Sequence, residues 1–216
     1  MHLAPKINRR IDGMRAVLRG SVPLEVVVDH VQQALRIWGV TVYIMGDPKL
    51  ERTAFATSGV YDVSKKRRPI EIMLYFNADV QRFNFTKAAW RDFRFLISSV
   101  LQHELIHKQQ YINRPIQGND VCLYYDIKAG EHSDKPYMDY LAELDEIDAY
   151  AHDIAMEIKE YYPSIDPYKV LATINQRKKV WSWNHYKETF KDSEDWSDVR
   201  NRLLKKTYLW LPHVIV

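Results

Sequence analysis

With 216 residues, of which 46% are hydrophobic, the chain is long enough to bury a full core, as one domain or as a domain with an appendage. Lys and Arg number 31 against 28 Asp and Glu, and a net charge of +3 is too small to argue for a nucleic-acid partner by itself. No stretch approaches the roughly 18 apolar residues of a membrane-spanning helix, and a single cysteine, Cys122, excludes an internal disulfide and a cysteine-rich structural zinc site.

In chain order, the N-terminal segment lacks the apolar core of a secretory signal. Arg9, Arg10, Arg15 and Arg19 give it the basic character of a transit peptide, but Asp12 and the near absence of serine point to an ordinary basic first helix or arm. One cysteine agrees with a reducing compartment, so a cytoplasmic location is expected, with no membrane partner. Residues 22–38 predict an amphipathic helix with Val26, Val27, Val31, Ala34, Leu35 and Trp38 on its apolar side and Gly39 closing it. Three β-rich runs follow, residues 40–45, 54–61 and 70–76, separated by a turn at Gly46-Asp47-Pro48 and a loop over 62–69. They predict a small antiparallel meander. The basic run Lys65-Lys66-Arg67-Arg68 falls in that loop, a hairpin tip where solvated charge is expected.

Residues 88–110 contain no Gly or Pro, and Phe93, Leu96, Ile97, Val100, Leu101 and Leu105 recur at steps of three and four, the apolar stripe of a helix. Thr86 is its candidate N-cap and Pro115 lies beyond its end. The helix carries His103-Glu104-Leu105-Ile106-His107. On a helix the two histidines sit about 40° apart around the axis, close enough to bind one ion together. A zinc ion there would lower the pKa of a water to about 7, and Glu104 could take that water's proton and pass it to a leaving amine. The plain alternative is a core helix whose polar face carries two histidines.

Two imidazoles leave zinc one protein ligand short. Cys122 reads as a buried or incidental thiol, and His2, His30, His132, His152, His185 and His213 are scattered. A three-histidine zincin motif would place its third ligand six residues after His107, where Asn113 stands, so a carboxylate is the better candidate. Residues 140–162 predict a second helix, acidic in its first turns. On its wheel Glu143 lies about 60° from Glu146 and Tyr150 about 40°, while Asp145 and Asp148 point elsewhere. Glu143 and Glu146 are left to compete for the metal. The long connection between the two helices, residues 112–136, includes an apolar insert at 121–125. It is expected to form a rim or lid whose tyrosines or His132 could donate to an oxyanion, or else a surface excursion that packs Leu123 and Tyr124.

Beyond Pro163, residues 167–179 and 193–208 predict helices, the latter with Ser193 as N-cap and Glu194 and Asp195 in its first turn. Trp181, Trp183, Tyr186, Trp196 and Trp210 crowd this region beside Arg177-Lys178-Lys179 and Lys205-Lys206. Single-stranded nucleic acid could stack there, but a satellite core ringed by solvated lysines is the expected outcome.

His103-Glu104-x-x-His107, followed about forty residues later by Glu146-Ile147-Asp148-Ala149-Tyr150-Ala151, resembles the compact gluzincins and is similar to the ImmA/IrrE-type metallopeptidases and the small HExxH proteins of phages and bacteria. The resemblance covers these two helices, roughly a quarter of the chain. It implies His103, His107 and Glu146 as zinc ligands and Glu104 as general base, with Glu143 in reserve. Larger gluzincins place an aspartate four residues after the ligand glutamate, where this chain has Tyr150. The implied fold is α+β and zincin-like: an N-terminal helix, a small antiparallel sheet, and the HExxH helix packed on the glutamate helix. These make up a catalytic domain over residues 1–162, followed by a helical extension over 163–216. One edge strand of such a sheet commonly aligns an extended substrate, and Ile70–Phe76 is the candidate, an inner position being the alternative. The expected function is zinc-dependent hydrolysis of peptide bonds in a protein or peptide substrate. A catalytically silent zinc protein that binds a partner and a nucleic-acid-binding domain are the alternatives.

Overall fold

The structure is a computed structural model that describes residues 4–113 and 134–216, with helices and small sheets in an α+β arrangement. The lid expectation for residues 114–133, including Cys122 and His132, lies outside the described residues, as does His2. No helix among the described residues is long and apolar enough to cross a membrane. The chain forms two compact units, Met1–Lys108 and Gln109–Val216, and residues 163–216 fall wholly within the second.

In the first unit, α1 (Ala4–Asp12) and β1 (Gly20–Pro23) precede α2 (Leu24–Leu35), which buries Leu24, Val27, Val31 and Leu35. A 3-10 turn over Arg36–Trp38 ends at Gly39, whose φ of 73° lies in the left-handed region. Strands β2 (Val40–Gly46), β3 (Phe55–Tyr61), β4 (Ile70–Phe76) and β5 (Arg82–Phe85) follow. Helix α3 (Lys87–Asn113) starts where Thr86 was expected to cap it, with Ala89 N–H donating to Thr86 Oγ1 at 3.1 Å.

The sheet corrects the expected meander. Its order is β2-β4-β3, with β2 parallel and β3 antiparallel to β4, while β1 and β5 form a separate antiparallel pair. The run Ile70–Phe76, taken as the candidate edge strand, is therefore the central one. Its residues Ile70, Ile72, Leu74 and Phe76 are buried in alternation, whereas Tyr43, Ile44 and Met45 on β2 stay exposed. Phe76, Phe83, Phe85, Phe93 and Trp90 interlock beneath the sheet with ring centroids 5.0–6.2 Å apart.

In the second unit, the single helix expected over 140–162 is two: α4 (Asp134–Leu141) and α5 (Leu144–Tyr161). No Gly or Pro forces the break. A continuous helix would give the carbonyls of Leu141 and Ala142 to N–H groups one turn on. Instead Tyr186 Oη donates to Leu141 O and Arg202 Nη1 to Ala142 O, each at 3.0 Å, so side chains from elsewhere satisfy the opened turn. Helix α5 is buried along most of its length, from Glu146 to Ile158. It is flanked by α6 (Pro167–Ala172), α7 (Trp181–Thr189) and α8 (Trp196–Trp210).

Asp166 caps α6 by accepting from Tyr168 and Lys169 N–H, and its helix stops at Ala172 rather than 179. Asp195, not Ser193, is the N-cap of α8, and α7 was not foreseen. Trp183, Tyr186 and Phe190 are fully buried, as in a satellite core, whereas Trp196 and Trp210 are half buried and Trp181 is half exposed.

Candidate metal centre

On α3, His103, Glu104 and His107 occupy a sector of about 100°. The histidines are half buried and Glu104 is buried. Their rings approach at 4.8 Å between centroids, tilted by 70°, and His107 Nε2 lies 3.0 Å from His103 Nε2. Two nitrogens on one tetrahedral zinc at about 2.0–2.1 Å stand about 3.3 Å apart, so the imidazoles are already aimed and spaced as a ligand pair.

His103, His107 and Glu146 each offer a ligand atom, and these atoms all lie within 4.8 Å of one another. The two imidazoles are half buried and the carboxylate is buried. Two nitrogens and one carboxylate oxygen suit a borderline-soft divalent cation, and the group could hold one. Of the two competing glutamates, this group contains Glu146. Glu143 is the N-cap of α5, with extended ψ of 145°, so the break after Leu141 removes the continuous wheel on which both were compared.

Asp148 points elsewhere, as expected. It accepts from Trp210 Nε1 at 3.3 Å and pairs with Lys206 Nζ at 2.9 Å. Asp145 contributes its backbone, its carbonyl accepting from Gln110 Nε2 at 3.2 Å. His152 is buried edge-on to Trp210, and His185 is bonded to Tyr137 Oη at 2.8 Å; neither belongs to the group. A hollow of about 460 Å³ with Arg15, Arg19 and Lys87 on its wall lies at the other end of α3, about 24 Å of helix from His103.

The strand beside Glu104 is β3. A Cβ built on Gly59 would fall 2.5 Å from Glu104 Oε1. Asp62 N–H donates to Pro69 O, which makes that pair, and then Val60–Glu71 and Ser58–Met73, the hydrogen-bonded ones of the hairpin. Gly59 therefore turns its N–H and C=O outward, to the edge of β3 that no described strand covers. The opposite edge of the sheet is partly closed: Gln32 donates from Nε2 to Val40 O and accepts from Val42 N–H. Sequence reasoning missed Gly59, although an isolated glycine within a strand run signals a bulge or a close backbone approach.

Glu157 lies farther along α5. It accepts from Ser182 N–H and Oγ, and burial pushes its carboxyl up to about 8.

Comparison with protein-family models, with curated proteins and with solved structures found no match to this chain.

Proposed function

We propose that the protein is a zinc-dependent metallopeptidase of the compact gluzincin type. The observation that carries the reading is the donor set: two imidazoles of one helix and a buried carboxylate with their ligand atoms within 4.8 Å. In this reading His103, His107 and Glu146 would hold the ion. Bound there, zinc would act as a Lewis acid, lowering the pKa of a water to about 7 and polarising a peptide carbonyl.

The chain's own residues supply the rest. Glu104, one residue from His103 and buried, accepts the proton of the attacking water and delivers it to the departing amine. Burial keeps competing solvent from that carboxylate and strengthens its pull on the proton. Strand β3, rather than Ile70–Phe76, aligns an extended peptide, because its outward N–H and C=O groups at Gly59 stand next to Glu104. Glu104→Gln retains the shape but cannot accept the proton. In zinc-loaded protein assayed with a mixed fluorogenic peptide library, that variant should bind zinc as the wild type does and lose turnover by about 10²–10⁴-fold. Undiminished turnover would contradict the assignment.

A further inference from the structure

We propose that Gly59 is a positioning residue for Glu104: the volume a side chain would fill on β3 is the volume the carboxylate occupies. The inference rests on the reading of Glu104 as general base. A Cβ on Gly59 would meet Glu104 Oε1 at 2.5 Å, Val100 Cγ2 at 2.7 Å and Glu104 Cγ at 2.8 Å, all closer than real Cβ contacts come. Backbone conformation does not call for glycine here, because only Gly20 and Gly39 have positive φ among the described residues. Space is what remains.

The two obstructed neighbours respond differently. Val100 Cγ2 belongs to a short branched side chain with one strongly preferred helical rotamer and cannot swing clear. Glu104 ends in a rotatable carboxylate, so the least costly relief for an added methyl is rotation of Glu104 away from β3. Such a rotation leaves the ligand imidazoles in place and moves the base. A displacement of about 1 Å at a reacting group can cost on the order of a hundredfold in rate. Gly59 thus acts through Glu104 and touches neither the ion nor, through any side chain, the substrate.

The test compares wild type, Gly59→Ala, Gly59→Ala/Val100→Ala and Glu104→Ala, each stripped of metal and reloaded with Co²⁺. The double variant removes the valine contact, so it relieves the clash with α3 that the single variant retains, while the glutamate contact persists. All should bind one Co²⁺ with closely similar affinity. The visible absorption band of the bound Co²⁺ in both Gly59 variants should move away from the wild-type band and toward that of Glu104→Ala. In the peptide assay kcat should fall on the order of a hundredfold with KM unchanged. A wild-type band in Gly59→Ala/Val100→Ala, alongside a shifted one in Glu104→Ala, overturns the role of Gly59 and leaves the metal site standing. If wild type takes up no Co²⁺, the metal site itself falls and the role of Gly59 with it.

Discussion

Of the buried carboxylates on helix α5, Glu146 stands near one end and Glu157 near the other, eleven residues apart and about 20° apart around the axis. They are equally hidden, 4% and 6% exposed, yet their surroundings differ in kind. Glu157 is met by the N–H and hydroxyl of Ser182, and its carboxyl is held protonated at neutral pH. Glu146 is grouped with two imidazoles, the possible ligand atoms of all three lying within 4.8 Å of one another. A buried carboxylate met by N–H and hydroxyl donors is a structural hydrogen-bond hub; one grouped with two imidazoles could hold a cation with them. Burial alone does not distinguish the two.

The largest effect that separates the two ends is on metal affinity. Glu146→Ala should weaken zinc binding, read by competition with a chelating dye, by more than the roughly 10–100-fold typical of losing a residue behind the ligands. Glu157→Gln should leave it unchanged, and equal losses would erase the contrast. At the other end, Ser182→Ala removes a hydroxyl donor from a buried acceptor and should cost about 1–3 kcal/mol in urea denaturation.

The pH dependence of stability sharpens the same contrast. Glu157 has a folded pKa of about 8 against an ordinary 4.5. Between those values the folded chain keeps a proton that the unfolded chain releases, so stability is fully present below about 4.5 and declines as pH rises toward about 8. Thermal midpoints should therefore fall across this window, and Glu157→Gln should flatten the slope. An unchanged slope in that variant would assign the dependence to other groups. The smallest effect belongs to Asp148, whose pair with Lys206 is partly exposed. Asp148→Asn should cost less than about 1 kcal/mol and leave zinc affinity alone.

What could be read in the sequence was local. Thr86 before an apolar stripe set the start of α3, Gly39 closed the turn after α2, and the spacing of His103, Glu104 and His107 put three functional groups on one sector of a helix. The unread features depend on tertiary partners. Alternation marks Ile70–Phe76 as a strand but does not say that β2 and β3 flank it. Nothing near Ala142 in sequence announces that Arg202 and Tyr186 will take the carbonyls of an opened turn. Ser182 lies 25 positions from Glu157, and no periodicity links them. Gly59 was visible as a glycine within a strand, but its neighbour Glu104 became known only once β3 and α3 were placed together.

The central claim is that His103, His107 and Glu146 hold one zinc ion, and zinc-edge X-ray absorption on dialysed, zinc-loaded protein tests it most directly. The expected shell has two imidazole nitrogens at about 2.0–2.1 Å and a carboxylate oxygen at about 2.0–2.2 Å, with a nitrogen lost in His107→Ala and the carboxylate oxygen in Glu146→Ala. Protein that retains no stoichiometric zinc, or a shell that Glu146→Ala leaves unchanged, would contradict it.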